Sequence, residues 1–190
     1  MTEKEILQIL KDSNALLEGH FVLTSGLHSP QYIEKFRLLE QPKLTELLCK
    51  ELAEKFRDDE VTVVVGPMTG GIILAHEVGK QLGTKAIFTE RVDGRMQFRR
   101  GFTLSPADRV LIVEDIITTG GSVLEVIDEV RKNKSTIVGI GCLVDRSSGR
   151  AKFDVPFKPL LTMEVVTYQP DDCPLCKSGS KAIKPGSTNK

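Results

Sequence analysis

Apolar positions in the first third of the chain recur at helical spacing. Ile6, Leu7, Ile9 and Leu10 follow Thr2-Glu3-Lys4-Glu5, where a Thr three residues ahead of a Glu has the capping-box arrangement. A short amphipathic helix is therefore predicted, ending near Asp12 or somewhat later. A stretch bearing Gly and Ser, Leu23 to Gln31, separates it from an extended Tyr32-Ile33. The next helix is predicted to start at Pro42, with Leu44, Leu47, Leu48, Leu52 and Phe56 on one face.

After that the rhythm changes to short apolar runs alternating with helices. Val61–Val65 is β-branched and ends at Gly66-Pro67, Gly71–Leu82 reads as a helix, and Ala86–Thr89 and Val110–Val113 read as strands. Gly121–Lys132 is amphipathic through Val123, Leu124, Ile127 and Val130, and Thr136–Val144 is a strand again. Continuous apolar strands between helices predict an α/β fold with a mostly parallel sheet covered on both faces. In such sheets ligands bind beyond the carboxyl ends of the strands. Between Glu90 and Pro106 no strong period survives, and arginines stand at 91, 95, 99 and 100 with Gly94 and Gly101 among them. A loop of this length is usually functional or mobile. From about Pro170 the chain carries few large apolar residues and reads as a peripheral, partly disordered tail.

A length of 190 residues is that of a single domain, 1–190. Its 26 basic residues cancel its 26 acidic ones, so there is no global field to hold nucleic acid or an anionic membrane, and an anionic ligand must be caught locally. No apolar run approaches the roughly 18 residues of a membrane span, and Met1-Thr2-Glu3-Lys4-Glu5 lacks the build of a signal peptide, so a cytoplasmic protein is expected. The four cysteines are too few and too scattered for a disulfide framework and read as reduced thiols. Cys173-Pro-Leu-Cys176 has half of a zinc site's spacing. With no second Cys pair or paired His nearby, no complete metal site is expected within one chain; it reads as a tail turn with two thiols, the alternative being a metal shared between two chains. His20, His28 and His76 show no metal spacing.

The chemistry concentrates in Val110-Leu-Ile-Val-Glu114-Asp115-Ile-Ile-Thr118-Thr119-Gly120-Gly121-Ser122. Glycines let the backbone approach an anion, a helix amino terminus offers unpaired N–H groups with a favourable dipole, and the hydroxyls add donors, which together make a phosphate cradle. Adjacent carboxylates would repel that phosphate, so they should face vicinal sugar hydroxyls of the same ligand. The segment suggests a ribose 5-phosphate. It is neither a Walker A loop nor a Gly-x-Gly-x-x-Gly fingerprint.

This segment closely resembles the phosphoribosyl pyrophosphate signature of the type I phosphoribosyltransferases. Gly19–Tyr32, Val65-Gly-Pro-Met-Thr-Gly-Gly-Ile72, Glu90–Gly101 and Leu143-Val-Asp-Arg146 extend the likeness to the orotate branch, and Tyr168–Cys176 with Lys184-Pro-Gly-Ser resembles its longer-tailed bacterial or archaeal members. The resemblance implies a hood over the strand ends from about 1–40 and 150–170, with the tail from about 171. It implies transfer of ribose 5-phosphate from phosphoribosyl pyrophosphate to orotate, with Mg²⁺, giving orotidine 5′-monophosphate and pyrophosphate in pyrimidine biosynthesis. Glu114 and Asp115 match the pair on the ribose hydroxyls, and Ile116, Ile117, Thr118, Thr119, Gly120, Gly121 and Ser122 complete the donor signature and 5′-phosphate loop. Thr69 and Gly70 lie in the pyrophosphate loop, Gly66 to Gly71. Arg91 and Arg95 match basic positions of a mobile loop, 90–102, shared across the subunits of a homodimer. Arg146, Thr118, Ser25 and Gly26 match the orotate pocket, where a guanidinium can hold a carboxylate in a bidentate fork.

Arg95, Asp115 and Glu114 are the expected catalytic residues, and no direct protein ligand to the magnesium is expected, its link to Glu114 and Asp115 running through water. The chain departs from the enterobacterial pattern at Thr24, Gly70 and Val92, where that pattern has lysines, and the loop histidine is absent. Arg99 and Arg100 are the candidates to compensate. Transfer to a purine base, or a regulatory nucleotide-sensing protein of the same fold, are the alternatives.

Overall fold

The computed structural model describes residues 1–185. Its centre is a six-stranded sheet made of β3 (Val63–Pro67), β4 (Lys85–Val92), β5 (Arg95–Phe98), β6 (Arg109–Ile117), β7 (Thr136–Asp145) and β8 (Phe157–Thr162). The order is β5-β4-β3-β6-β7-β8, all parallel except the β4–β5 pair. A separate antiparallel hairpin joins β1 (Leu16–Val22) and β2 (His28–Ile33).

Strand alternation divides the sheet's side chains between two cores. Val64, Leu111, Val113, Leu143 and Leu161 face α1 (Glu3–Asp12), α3 (Pro42–Glu54) and α4 (Gly70–Leu82), packing with Ile6, Leu10, Leu48, Leu52, Phe56 and Leu74. Val63, Val65, Val110, Ile112, Ile140 and Cys142 face α5 (Gly121–Lys132), against Val123, Val126, Ile127 and Val130. Both faces of a parallel sheet are thus covered, which is why its strands read as unbroken apolar runs. The predicted capping box at Thr2 and Glu5 is present, and Pro42 opens α3.

The chain leaves β3 toward β4 on one side and β6 toward β7 on the other. The order of strands therefore reverses between β3 and β6, and the crevice outside their carboxyl ends is the place where such sheets take ligands. The loop holding Thr69 and the loop holding Thr118 to Gly120 flank it.

Four segments differ from expectation. Leu23 to Gln31 is a turn only over its first part, because His28–Gln31 belongs to β2, paired with β1. Residues 90–106 are not an irregular loop: β4 runs on to Val92, Asp93 and Gly94 turn with φ of 49° and 80°, and β5 returns antiparallel. Two successive positive-φ residues make the tight turn that suits strand twist. Residues 157–162, expected in the hood, are edge strand β8. The tail folds back as a 3-10 turn (Pro170–Asp172) and α6 (Pro174–Lys177) and pairs with the β1–β2 hairpin through Tyr168 and Ile183. The last of the tail, including Gly186 and Ser187 of the family-like ending, lies outside the described residues.

Candidate active site

Glu114 and Asp115 sit inside β6 rather than beyond it, with residue exposures of only 8% and 2%. Two adjacent buried carboxylates need compensation. The Asp115 backbone N–H donates to Glu114 Oε1 at 2.9 Å, and Lys35 Nζ lies 2.9 Å from Asp115 Oδ1 and 2.8 Å from Oδ2. Burial, and then the Asp115 charge, push the Glu114 carboxyl up to about 8, so at neutral pH it holds its proton. One acid is kept neutral beside one that is ion-paired. Lys35 was not among the residues singled out from the sequence, since 80 positions separate it from Asp115.

Gly70, the first residue of α4, has no room for a side chain. A Cβ there would stand 1.7 Å from Asp115 Oδ2 and 3.2 Å from Leu39 Cδ1, so no side chain fits beside the carboxylate. Thr69 is exposed next to it, at the opening of α4, and makes no side-chain cap.

Past β6, Thr118 and Thr119 are exposed, and Gly120 holds φ of 80° just ahead of α5. No side chain caps α5, and the Gly121 N–H makes only a long 3.5 Å bond to Thr119 Oγ1. A helix start without a cap offers its first N–H groups and the positive end of its dipole to an anion. Glu114, Thr118 to Ser122 and Val123 line one concavity. Ile117 turns its side chain into the core at 1% exposure, so only its backbone is available to the site.

That backbone serves the neighbouring strand. The Arg146 N–H donates to the Ile117 carbonyl at 2.8 Å, which sets Arg146 at the end of β7 beside the start of the cradle. Its guanidinium is half-buried, with Nε among the buried nitrogens that have no partner. Burial holds Arg146 below the ordinary arginine range, and Tyr32 opposes that shift. The adjacent Ser147 hydroxyl is likewise buried and unpartnered. A desolvated guanidinium with an open Nε calls for a planar anion. Ser25 and Gly26 lie in the exposed turn between β1 and β2, closed by the Leu23 N–H on the Leu27 carbonyl at 2.8 Å. Tyr32, on β2, connects that hairpin electrostatically to Arg146.

The arginines of 90–102 are not equivalent. Arg91 Nη1 bonds Glu125 of α5 at 3.0 and 3.1 Å, and Arg100 bonds Glu90 at 2.6 and 3.2 Å. Arg95 and Arg99 are exposed and pair with no carboxylate among the described residues. Glu125 also accepts the Met96 N–H at 2.9 Å, and Glu129 the Phe98 N–H at 3.3 Å, so the edge strand β5 rests on α5 through two carboxylates.

Comparison with known proteins agrees with this geometry. The family described as "Phosphoribosyl transferase domain" matches residues 37–175. The orotate phosphoribosyltransferase of Pelotomaculum thermopropionicum is 52% identical over 187 residues, covering 98% of each chain. Among solved structures, orotate phosphoribosyltransferase from Aeropyrum pernix superposes with a TM-score of 0.66 at 28% identity, over 83% of this chain and 93% of that one. Adenine phosphoribosyltransferase from Rhodothermus marinus does so at 0.65 and 24% identity, over 84% and 99%, so the fold alone does not select the base. Family match, near-full-length identity and the cradle at the switch point coincide, and the chain belongs to the phosphoribosyltransferases, in the orotate phosphoribosyltransferase family.

Proposed function

We propose that the chain transfers ribose 5-phosphate from phosphoribosyl pyrophosphate to orotate, with Mg²⁺, as a cytoplasmic homodimer whose 90–102 hairpin serves the partner's site. The observation that carries the base assignment is the half-buried Arg146 with its unpartnered Nε beside Tyr32. A carboxylate-bearing pyrimidine satisfies that guanidinium, whereas a purine leaves it unpaired at a cost of about 1–3 kcal/mol. The name of the Pelotomaculum relative supports the same base.

Breaking the bond from C1 to pyrophosphate leaves positive charge on the ribose and negative charge on the leaving group, so the chain's work is positioning and electrostatic stabilisation. Thr118 to Ser122 take the 5′-phosphate through backbone N–H groups and hydroxyls. Asp115 accepts from a ribose hydroxyl, and Glu114, carrying its proton, either donates to or accepts from the other. Thr69 and Gly70 present backbone to the pyrophosphate, and Arg95, free of internal pairing, is the arginine ready to meet it. Arg91 must first leave Glu125. Closure of the hairpin excludes water that would hydrolyse the activated sugar.

Both carboxylates suit magnesium as outer partners: Asp115 is tied to Lys35 and Glu114 is neutral, so each would hold the ion through water. Bound with the phosphates, the ion supplies charge neutralisation of the leaving group. None of the four cysteines is in a disulfide, the state that a reducing compartment maintains. For the homodimer, Phe36, Leu47, Met68 and Ile73 leave large apolar surface exposed on α2 (Phe36–Leu39), α3, the β3–α4 loop and α4, which pack on one another.

The test is a base panel of orotate, uracil, hypoxanthine and adenine with phosphoribosyl pyrophosphate and Mg²⁺, following pyrophosphate. Release with orotate alone is expected. Turnover of a purine and not orotate overturns the substrate, and donor binding without release from any base makes the chain a nucleotide-sensing protein.

A further inference from the structure

The fold collects four residues that sequence spacing keeps apart. His20 and His28 come from the two strands of the β1–β2 hairpin, Cys173 from the residue before α6 and Cys176 from α6 itself, and their ligand atoms all lie within 4.8 Å of one another. His20 Nε2 is 3.5 Å from Cys173 Sγ and 3.8 Å from Cys176 Sγ. His28 Nδ1 is 3.4 Å from Cys176 Sγ, and the two nitrogens are 2.9 Å apart. A tetrahedral zinc ion with the usual bond lengths has nitrogen–sulfur edges of about 3.6 Å and a nitrogen–nitrogen edge of about 3.3 Å. The three nitrogen–sulfur distances match those edges to within a few tenths of an ångström, the two imidazoles would part by a similar amount, and every remaining pair lies within 4.8 Å.

Three further features fit a metal centre. The β1–β2 register slips between Glu18 and Phe21, so Gly19 and His20 together oppose Pro30, and the bulge re-aims His20. His20 Nδ1 lies 3.1 Å from the Ser180 carbonyl, which places the ring proton on Nδ1 and leaves the Nε2 lone pair directed at the cluster. The tail also lacks a hydrophobic reason to be where it is, since of residues 164–185 Cys173 alone is buried. Backbone bonds hold it against the hairpin, from Val22 to Ile183 and between His28 and Tyr168. Such a segment, without a core of its own, is the kind that a metal fastens.

We propose that His20, His28, Cys173 and Cys176 are the four ligands of a structural zinc ion that clamps the tail to the hairpin carrying Ser25 and Gly26. Four protein ligands leave no open position, so the ion takes no part in the chemistry. Two sulfurs and two imidazoles in a tetrahedral arrangement select zinc over magnesium or calcium. Binding replaces two thiol protons, which leave to solvent, while the imidazoles coordinate as neutral rings.

The experiment uses the full chain, purified without an affinity tag or chelator from zinc-supplemented cells. One zinc per chain is expected. Replacement by Co²⁺ should give the intense visible bands of tetrahedral cobalt with a thiolate charge-transfer band, and removal of the metal should expose Lys177 and Lys181 to trypsin while the α/β body keeps its circular dichroism. The Cys173→Ser/Cys176→Ser double variant should lose the zinc and both spectral features. Cys176→Ser, at an exposed position that folding tolerates, should lose the charge-transfer intensity of one thiolate and bind zinc at least tenfold more weakly. Trace metal together with a featureless cobalt spectrum overturns the proposal, as does stoichiometric zinc that survives the double variant, or a metal-free Cys173–Cys176 disulfide. None of these outcomes depends on catalysis, so the zinc site and the orotate reading fail separately.

Discussion

At the residue scale the site is governed by the pairing of carboxylates. Lys35→Met leaves Asp115 charged and buried without its partner; since Lys35 is itself a third exposed, the expected loss is about 1–3 kcal/mol, below that of a fully buried pair, read by urea denaturation. Gly70→Ala drives a methyl group into Asp115 and should lower kcat/KM for the donor at least tenfold with orotate KM little changed. Glu114 makes a pH-dependent prediction. Its carboxyl titrates near 4.5 when unfolded and near 8 when folded, so between those values the folded chain holds a proton that the unfolded chain has lost. The contribution is fully present below about pH 4.5 and is lost as pH rises through about 8. Glu114→Gln should therefore flatten the fall in stability between about pH 5 and 8, measured by denaturant titration at each pH; an unchanged slope rejects the assignment. The Glu114-to-Ser122 run was legible in the sequence because strand, acids, hydroxyls and glycines follow one another without interruption. Lys35 was not, because nothing local distinguishes a lysine after an extended segment from a solvated one.

At the element scale, legibility followed burial. β6 buries Val110 to Val113, and α3 buries Leu48 and Leu52, so their periods read directly, although Leu47 on the same predicted face of α3 stays exposed. The β1–β2 hairpin carries His, Ser, Pro and Gln on strands whose partner surface is partly the tail, so its alternation is weak and only Tyr32-Ile33 reads as extended. β8 is hidden for a related reason: Phe157-Lys158-Pro159 does not look like a sheet strand until its position at the edge, where a proline is tolerated, is known. The β4–β5 hairpin hid its pairing in arginines that meet Glu125 and Glu90 rather than in apolar residues. Its docking on α5 makes a prediction. Glu125→Ala removes the acceptor of the Met96 N–H and the partner of Arg91, so amide exchange across residues 91–98 should accelerate several-fold while α5 remains protected. Protection unchanged at Met96 would show that the hairpin rests on other contacts.

For the whole molecule, zero net charge and a cradle for a polyanion are reconciled by how the basic groups are deployed. Lys35, Arg91 and Arg100 are neutralised within the chain, while Arg95 and Arg99 remain exposed on the hairpin at the sheet's edge. If that hairpin closes over the partner's cradle, two differently crippled chains can repair one another. Arg95→Ala should lower kcat more than it raises KM, because the arginine meets charge that develops in the transition state. Asp115→Asn should disable the ribose grip in its own chain. Mixed in equal amounts and allowed to exchange subunits, the two variants form mixed dimers in half of all cases. With the arginine acting in trans, each mixed dimer carries one site with both lesions and one with neither, so activity should recover to about a quarter of that of the unmutated protein. With the arginine acting in cis, every site keeps a lesion and mixing restores nothing. Size-exclusion chromatography of the mixture separates failure to exchange from action in cis, because exchange between variants of different tag mass produces an intermediate peak whatever the activity.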